Sequence, residues 1–127
     1  MYTDILTQIK NAQAVKKAKL KVPFSNMNLA ILATMERAGF LSGVSKKGRM
    51  PKRVLEIELK YDAKGEGAIH GVRFNSKPSR RLYAGYREFR PVRQGYGAAI
   101  VSSSQGIMTA QEAKRKKVGG QLLFEIW

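Results

Sequence analysis

The sequence contains no cysteine and a single histidine, His70, among 127 residues. The first absence excludes disulfides and thiolate metal sites and fits a cytosolic protein. The second leaves no other imidazole to complete a zinc site, so His70 reads as structural. No apolar run is long enough to cross a bilayer, and neither a basic amphipathic helix nor a lipid signal supports a membrane partner. Met1-Tyr2-Thr3-Asp4 lacks the basic start of a secretory signal, and no long apolar stretch follows it. Gly65-Glu66-Gly67 is not a phosphate loop, because no lysine-serine or lysine-threonine pair completes it. Glu56 and Glu58 stand two apart among basic neighbours, which points to surface ion pairing rather than acid/base work. An enzyme is therefore poorly supported, and no cofactor is expected.

Acidic residues are scarce as well. Nine Asp and Glu face 24 Lys and Arg, a net charge of +15 with a pI near 10.4. That excess goes far beyond what solubility needs and points to a polyanion, nucleic acid first. Hydrophobic residues make up 43% of the chain, enough for a core in one domain or two small ones.

The first half reads as helix, strand, helix, strand, strand. Tyr2, Ile5, Leu6, Ile9 and Ala12 recur at helical spacing, with Thr3 as the expected N-cap. Leu20, Val22 and Phe24 alternate with lysines, so Lys19–Pro23 is expected as a half-buried strand ending at Pro23. Ser25-Asn26 caps a second helix whose buried side is expected to carry Met27, Ala30, Ile31, Thr34, Met35 and Ala38. Gly39 suits its left-handed C-cap, with Phe40 packing back. Residues 41–45 form a short strand and 46–53 a basic turn, either solvated or touching a second nucleic-acid segment. Residues 53–61 alternate cleanly, Leu55, Ile57, Leu59 and Tyr61 on one face and Glu56, Glu58 and Lys60 on the other. Glycines and polar residues at 62–67 mark a linker, so the division expected is 1–64 and 65–127.

The second half is richer in candidate ligand groups. Residues 68–75 read as a strand. Seven basic residues lie between Arg73 and Arg93 against one acid, Glu88, with Phe74, Tyr83, Tyr86 and Phe89 interleaved. Basic groups neutralise phosphates and exposed rings stack on bases. Core packing is the competing role, favoured for Phe74 and Phe89. Ser102-Ser103-Ser104-Gln105-Gly106 then sits between two short apolar runs, as a polar loop held by packed strands. Small hydroxyls and free amides there can bond a phosphate, a 2′-hydroxyl or a base edge, although an ordinary hairpin loop has the same composition. Thr109-Ala110-Gln111-Glu112 is a capping box opening a short helix that Lys114, Arg115, Lys116 and Lys117 close. Val118-Gly119-Gly120 is a turn. A final strand follows, and its terminal Trp127 is expected to be docked in a sheet.

Four segments, in order along nearly the whole chain, resemble the bacterial-type small-subunit ribosomal protein S8 (uS8) family. They are Gly97 to Met108 with Ala113-Lys114, Asp4 to Ala12, Ser76 to Tyr83, and Val118 to Trp127. The resemblance implies an α+β protein of two small subdomains, an N-terminal α-β-α-β-β unit and a C-terminal mostly-β unit with a short helix. It implies a non-catalytic constituent of the ribosome that binds the central domain of small-subunit (16S) rRNA and supports assembly of the 30S platform. Neighbouring proteins S5 and S12 are the implied protein partners. Carried onto this chain, the RNA-binding residues are Ser102, Ser103, Ser104, Gln105 and Gly106, flanked by Lys77, Pro78, Ser79, Arg80, Arg81, Tyr83, Tyr86 and Lys114. Gly119 and Gly120 would let backbone approach RNA closely. The family's loop usually has Thr and Lys where this chain has Ser103 and Gln105, so positive charge must come from Lys77, Arg80, Arg81 and residues 114–117. The competing class is a basic DNA-binding or assembly factor outside the ribosome, which duplex DNA binding at matched salt distinguishes.

Overall fold

Two short amphipathic helices need a partner surface to bury their apolar stripes, and the first half of the chain provides a sheet. The computed structural model describes residues 2–49, 53–75, 82–89 and 97–127. In order these are α1 (Tyr2–Ala14), β1 (Lys19–Pro23), α2 (Asn26–Arg37), β2 (Leu41–Lys47), β3 (Val54–Leu59), β4 (Val72–Phe74), β5 (Leu82–Ala84), a single 3-10 turn (Tyr86–Glu88), β6 (Ala98–Ser103), β7 (Gly106–Thr109), α3 (Ala110–Lys116) and β8 (Gly120–Ile126). The chain is mixed α+β with two antiparallel sheets, and divides into Met1–Ile69 and His70–Trp127.

In the first unit β3 is central, between β1 and β2. Its register places Leu20, Ile57 and Val44 in one row and Lys21, Glu56 and Ser45 in the next, on the opposite face. Leu55, Ile57 and Leu59 are buried with Val22, as are Ile5, Leu6, Ile9 and Ala12 of α1 and Ile31, Leu32 and Met35 of α2. On the outer face Lys19 Nζ lies 3.5 Å from Glu56 and 3.8 Å from Glu58, the expected ion pairing. Ser25 caps α2, accepting from the Asn28 amide at 3.0 Å. Gly39, φ 93, closes it while the Phe40 amide reaches back to the Met35 carbonyl, and Phe40 is buried.

Several local expectations change. Ala38, expected on the buried side of α2, is exposed at its C-cap. Of the strand expected over residues 68–75, only Val72–Phe74 is a strand. α1 begins at Tyr2, so Thr3 lies inside its first turn and is not the cap. Met27 is exposed, because it stands in the first turn of α2 before the buried stripe begins at Ile31. β2 runs on to Lys47, taking up residues expected in the basic turn. Of that turn, Met50, Pro51 and Lys52 lie outside the described residues, while Lys46 and Arg53 stand over the Phe24 ring at 5.8 and 5.5 Å. The 62–67 stretch is a hydrogen-bonded turn. Asp62 Oδ1 accepts from the Lys64 and Glu66 amides, both at 2.9 Å, and Gly65 has φ 81.

In the second unit β8 is the hub. β4 and β5 pair with successive parts of one edge, β6 with the other, and β7 continues beyond β6. Ile100 faces Phe124 but Val101 faces Leu122, so Leu123 is an extra residue in β8, a bulge. It lets Leu123 and Phe124 both be buried despite a strand's alternation. α3 covers one face, Ala110 and Ala113 packing with Ala99, Val101, Met108 and Phe89. Its capping box is complete, with Thr109 Oγ1 and Glu112 Oε1 each accepting from the other's amide at 3.2 Å. Trp127 is docked. Its carbonyl accepts from the His70 and Gly71 amides at 2.6 and 3.0 Å, and its amide donates to the Gly71 carbonyl at 3.1 Å.

Two stability outcomes follow. A Cβ on Gly71 would sit 2.6 Å from the Trp127 ring, so Gly71→Ala should destabilise by about 1–3 kcal/mol, read as a lower denaturant midpoint at unchanged slope. Thr109→Ala removes the cap of α3 and should destabilise by about 1 kcal/mol, whereas Thr109→Ser should stay near wild type.

Candidate nucleic-acid interface

A hydroxyl can serve a ligand only if the fold leaves it free, and the three consecutive serines differ in this. Ser102 and Ser103 belong to β6, and only Ser104 and Gln105 bridge to β7. Ser103 is paired across the hairpin with Gly106, whose φ of 111 takes the left-handed position of the turn. The Ser103 hydroxyl donates to the Gly106 carbonyl at 2.8 Å and accepts from the Gln105 amide at 3.2 Å. Its chemistry is used inside the turn, which it holds in shape. Ser104 and Gln105 are exposed at the tip, and Ser102 is half-buried on the strand.

Register decides what Ser102 stands beside. Gln121 of β8 pairs with Ser102 on one side and Tyr83 on the other, and Ser102 also pairs with Ile107. Directly paired residues point to the same face. Tyr83, Gln121, Ser102 and Ile107 therefore form one row across four strands, spaced by about 4.8 Å per strand. Tyr83 is 68% exposed, enough for its ring to receive a base. Two pairs further from the hairpin, Phe74 pairs with Phe124 on the same side, with ring centroids 6.5 Å apart. Phe74 remains 36% exposed, so it is not the core residue expected, whereas Phe89 is. Gln121 and Ile107 carried no sequence signal. A glutamine before an apolar strand is unremarkable until its partners are known.

The adjacent row, Leu82, Leu122, Val101 and Met108, faces the other way, with Leu122, Val101 and Met108 in the cluster around α3. Tyr86 packs against that cluster as well, with Arg87 5.7 Å from its ring and bonded to its hydroxyl. The structure thus separates Tyr86 from Tyr83. α3 follows its N-cap Thr109, which pairs with Ile100, and its exit leads to Gly120, which pairs with Ser103 and Ala84. Exposed Lys114 and the cations after it therefore close the helix toward the hairpin end of the sheet.

Gly119 and Gly120 have a packing reason to be glycine. A Cβ on Gly119 would lie 2.7 Å from the Ala84 carbonyl, and one on Gly120 would overlap the Ser102 carbonyl. Lys77, Pro78, Ser79, Arg80 and Arg81 lie outside the described residues, as does the 90–96 segment leading into β6. Among the described residues no group of three His, Asp or Glu side chains could hold a metal ion, and no helix is long and apolar enough to cross a membrane.

A hydroxyl, an amide and an exposed phenol in a row, beside an exposed polar tip and a cationic helix end, offer hydrogen bonds, stacking and positive charge over one end of a sheet. Comparison with known proteins shows the family. The family model described as Ribosomal protein S8 matches residues 1–127. The chain is 41% identical over 124 residues to "Small ribosomal subunit protein uS8" of Rubrobacter xylanophilus, spanning 98% of this chain and 94% of that one. For the protein of the same name from Thermus thermophilus the identity is 40% over 131 residues, spanning 98% and 95%. For that of Borreliella afzelii it is 36% over 124 residues, spanning 98% and 94%. With the whole chain matched and relatives aligned almost end to end, the protein belongs to the ribosomal protein S8 family, the structural, non-enzymatic proteins of the small ribosomal subunit.

Proposed function

We propose that this chain binds the central domain of small-subunit (16S) rRNA directly, supports assembly of the 30S platform in the cytoplasm, and sits there beside proteins S5 and S12. The observation that carries the reading is the row Tyr83, Gln121 and Ser102 at the hairpin end of the sheet. An A-form stem hides its base edges in a deep major groove, so a protein recognises it through 2′-hydroxyls, backbone and the unpaired bases of an irregular loop. The row suits such a target. Tyr83 offers a stacking surface worth about 1–3 kcal/mol per base. Ser102 and Gln121 offer donors and acceptors beside it, and Ser104 and Gln105 meet backbone at the tip. Ser103 and Gly106 shape the turn, and Gly119 and Gly120 let the strands close beneath it. Lys77, Arg80, Arg81 and Lys114 provide the phosphate charge that Gln105 does not.

The decisive measurement is binding to a small-subunit rRNA stem with an irregular internal loop, against duplex DNA at matched salt. The stem should win by at least about 10³-fold, the low end of specific over non-specific binding, and equal affinity would sink the ribosomal RNA reading. Co-sedimentation with 30S particles from a lysate checks the same claim in context. Tyr83→Ala should weaken the stem by roughly 10-fold, the effect of about 1.4 kcal/mol of stacking, without lowering stability, since the ring is exposed. Ser104→Ala should weaken the stem more than non-specific RNA, while Lys47→Ala should weaken both alike, as a pure charge loss does.

A further inference from the structure

Among the described residues only two besides glycine have a left-handed backbone, and both are lysines, Lys16 with φ 58 and Lys117 with φ 57. Lys117 ends α3 at φ 57 and ψ 41, its amide bonded to Lys114 at 3.2 Å and the Val118 amide to Ala113 at 3.0 Å. Glycine is the residue that takes this position without a Cβ penalty. The helix's own electrostatics do not call for a lysine here. Lys114, Arg115 and Lys116 already place three cations in the last turn of a seven-residue helix, which satisfies its carbonyl end. A fourth, three residues after Lys114, adds like-charge repulsion. No carboxylate among the described residues pairs with Lys117. His70–Trp127 as a whole holds eleven basic and three acidic residues, so background repulsion is high.

Backbone strain and charge repulsion therefore converge on one exposed side chain. What that side chain has is position. Gly119, two residues on, abuts Ala84 and Gly85, and Gly120 pairs with both Ser103 and Ala84. Lys117 thus stands where α3 returns to the hairpin end of the sheet. Tyr83 and Ser102 face one side of that end, and α3 packs on the other.

We propose that Lys117 is a phosphate-binding residue of the interface, held in a left-handed conformation against the preference of the helix end. The inference rests on the RNA-binding reading above. Tyr83 and Ser102 engage bases and riboses on one side of the sheet end, and Lys117 neutralises a backbone phosphate that passes the other.

The test is Lys117→Gly, followed by thermal unfolding and by binding to the rRNA stem across a salt series. Relief of the left-handed strain should raise Tm by about 2–4 °C. Loss of one phosphate contact should lower the slope of log affinity against log salt by about 0.9, a loss of up to about 8-fold at 0.1 M salt. Lys117→Asn, uncharged and tolerant of the left-handed region, should show the same slope change. Lys16→Gly should raise Tm similarly but leave the stem's slope within error. An unchanged slope in Lys117→Gly, on a stem that wild type recognises, overturns the assignment alone, and so does a fall in Tm. Failure of wild type to prefer the stem over duplex DNA removes the RNA reading and this inference together.

Discussion

The second unit depends on one strand being paired along both edges. β8 receives β4 and β5 in succession on one side and β6 on the other. Without it, Tyr83 and Ser102 would belong to unconnected segments nineteen residues apart. With it, they stand on either side of Gln121 and point the same way. The double pairing also explains two glycines. Gly120 enters the sheet where a Cβ would meet the Ser102 carbonyl, and Gly119 passes the Ala84 carbonyl with no room to spare. The end of the strand is tied down as well, because Trp127 exchanges backbone hydrogen bonds with Gly71 while its indole fills the space beside that residue.

Charge organises the molecule differently from packing. The excess of cations is spread over both units, and among the described contacts the acids serve local structure. Glu112 completes the cap of α3, Asp62 closes a turn, and Glu56 and Glu58 meet Lys19 on an open sheet face. Exposed ion pairs of that kind add little stability. The net positive field therefore remains available to a polyanion, which lowers phosphate repulsion without specifying sequence or shape. On the RNA-binding reading proposed above, discrimination falls to the uncharged row, Tyr83, Gln121 and Ser102, together with the hairpin tip.

The hydroxyl stretch shows how composition and role part company. Three adjacent serines offer the same functional group, yet Ser103 closes the turn with both its donor and its acceptor, Ser102 stands on the sheet face, and Ser104 is at the tip. The two tyrosines divide in a similar way. Tyr83 is open, while Tyr86 packs against the cluster under α3. A strand's period of two makes neighbours in sequence opposites in space, so adjacent chemistry rarely acts together.

Local signals settled much of this protein from the sequence alone. Apolar spacing located the first two helices and most strands, a capping box located the third helix, Ser25 and Thr109 marked two helix starts, Gly39 marked an end, and the charge named a polyanion. Each of these is decided within about one helical turn or one strand, so no distant partner is needed. The hydroxyl stretch was legible as a hairpin for the same reason. Only the tertiary structure decided which strands adjoin, and so which residues share a face. The bulge at Leu123 shifts the parity of β8 against β6, and alternation in the sequence gives no sign of it. Gln121 was invisible because its place comes entirely from its two partners, and Lys117, legible only as one cation of the 114–117 run, was set apart from its neighbours by a left-handed φ that shows only in the folded backbone. Long-range pairing fixes register, and register turned a polar loop and a distant tyrosine into one surface.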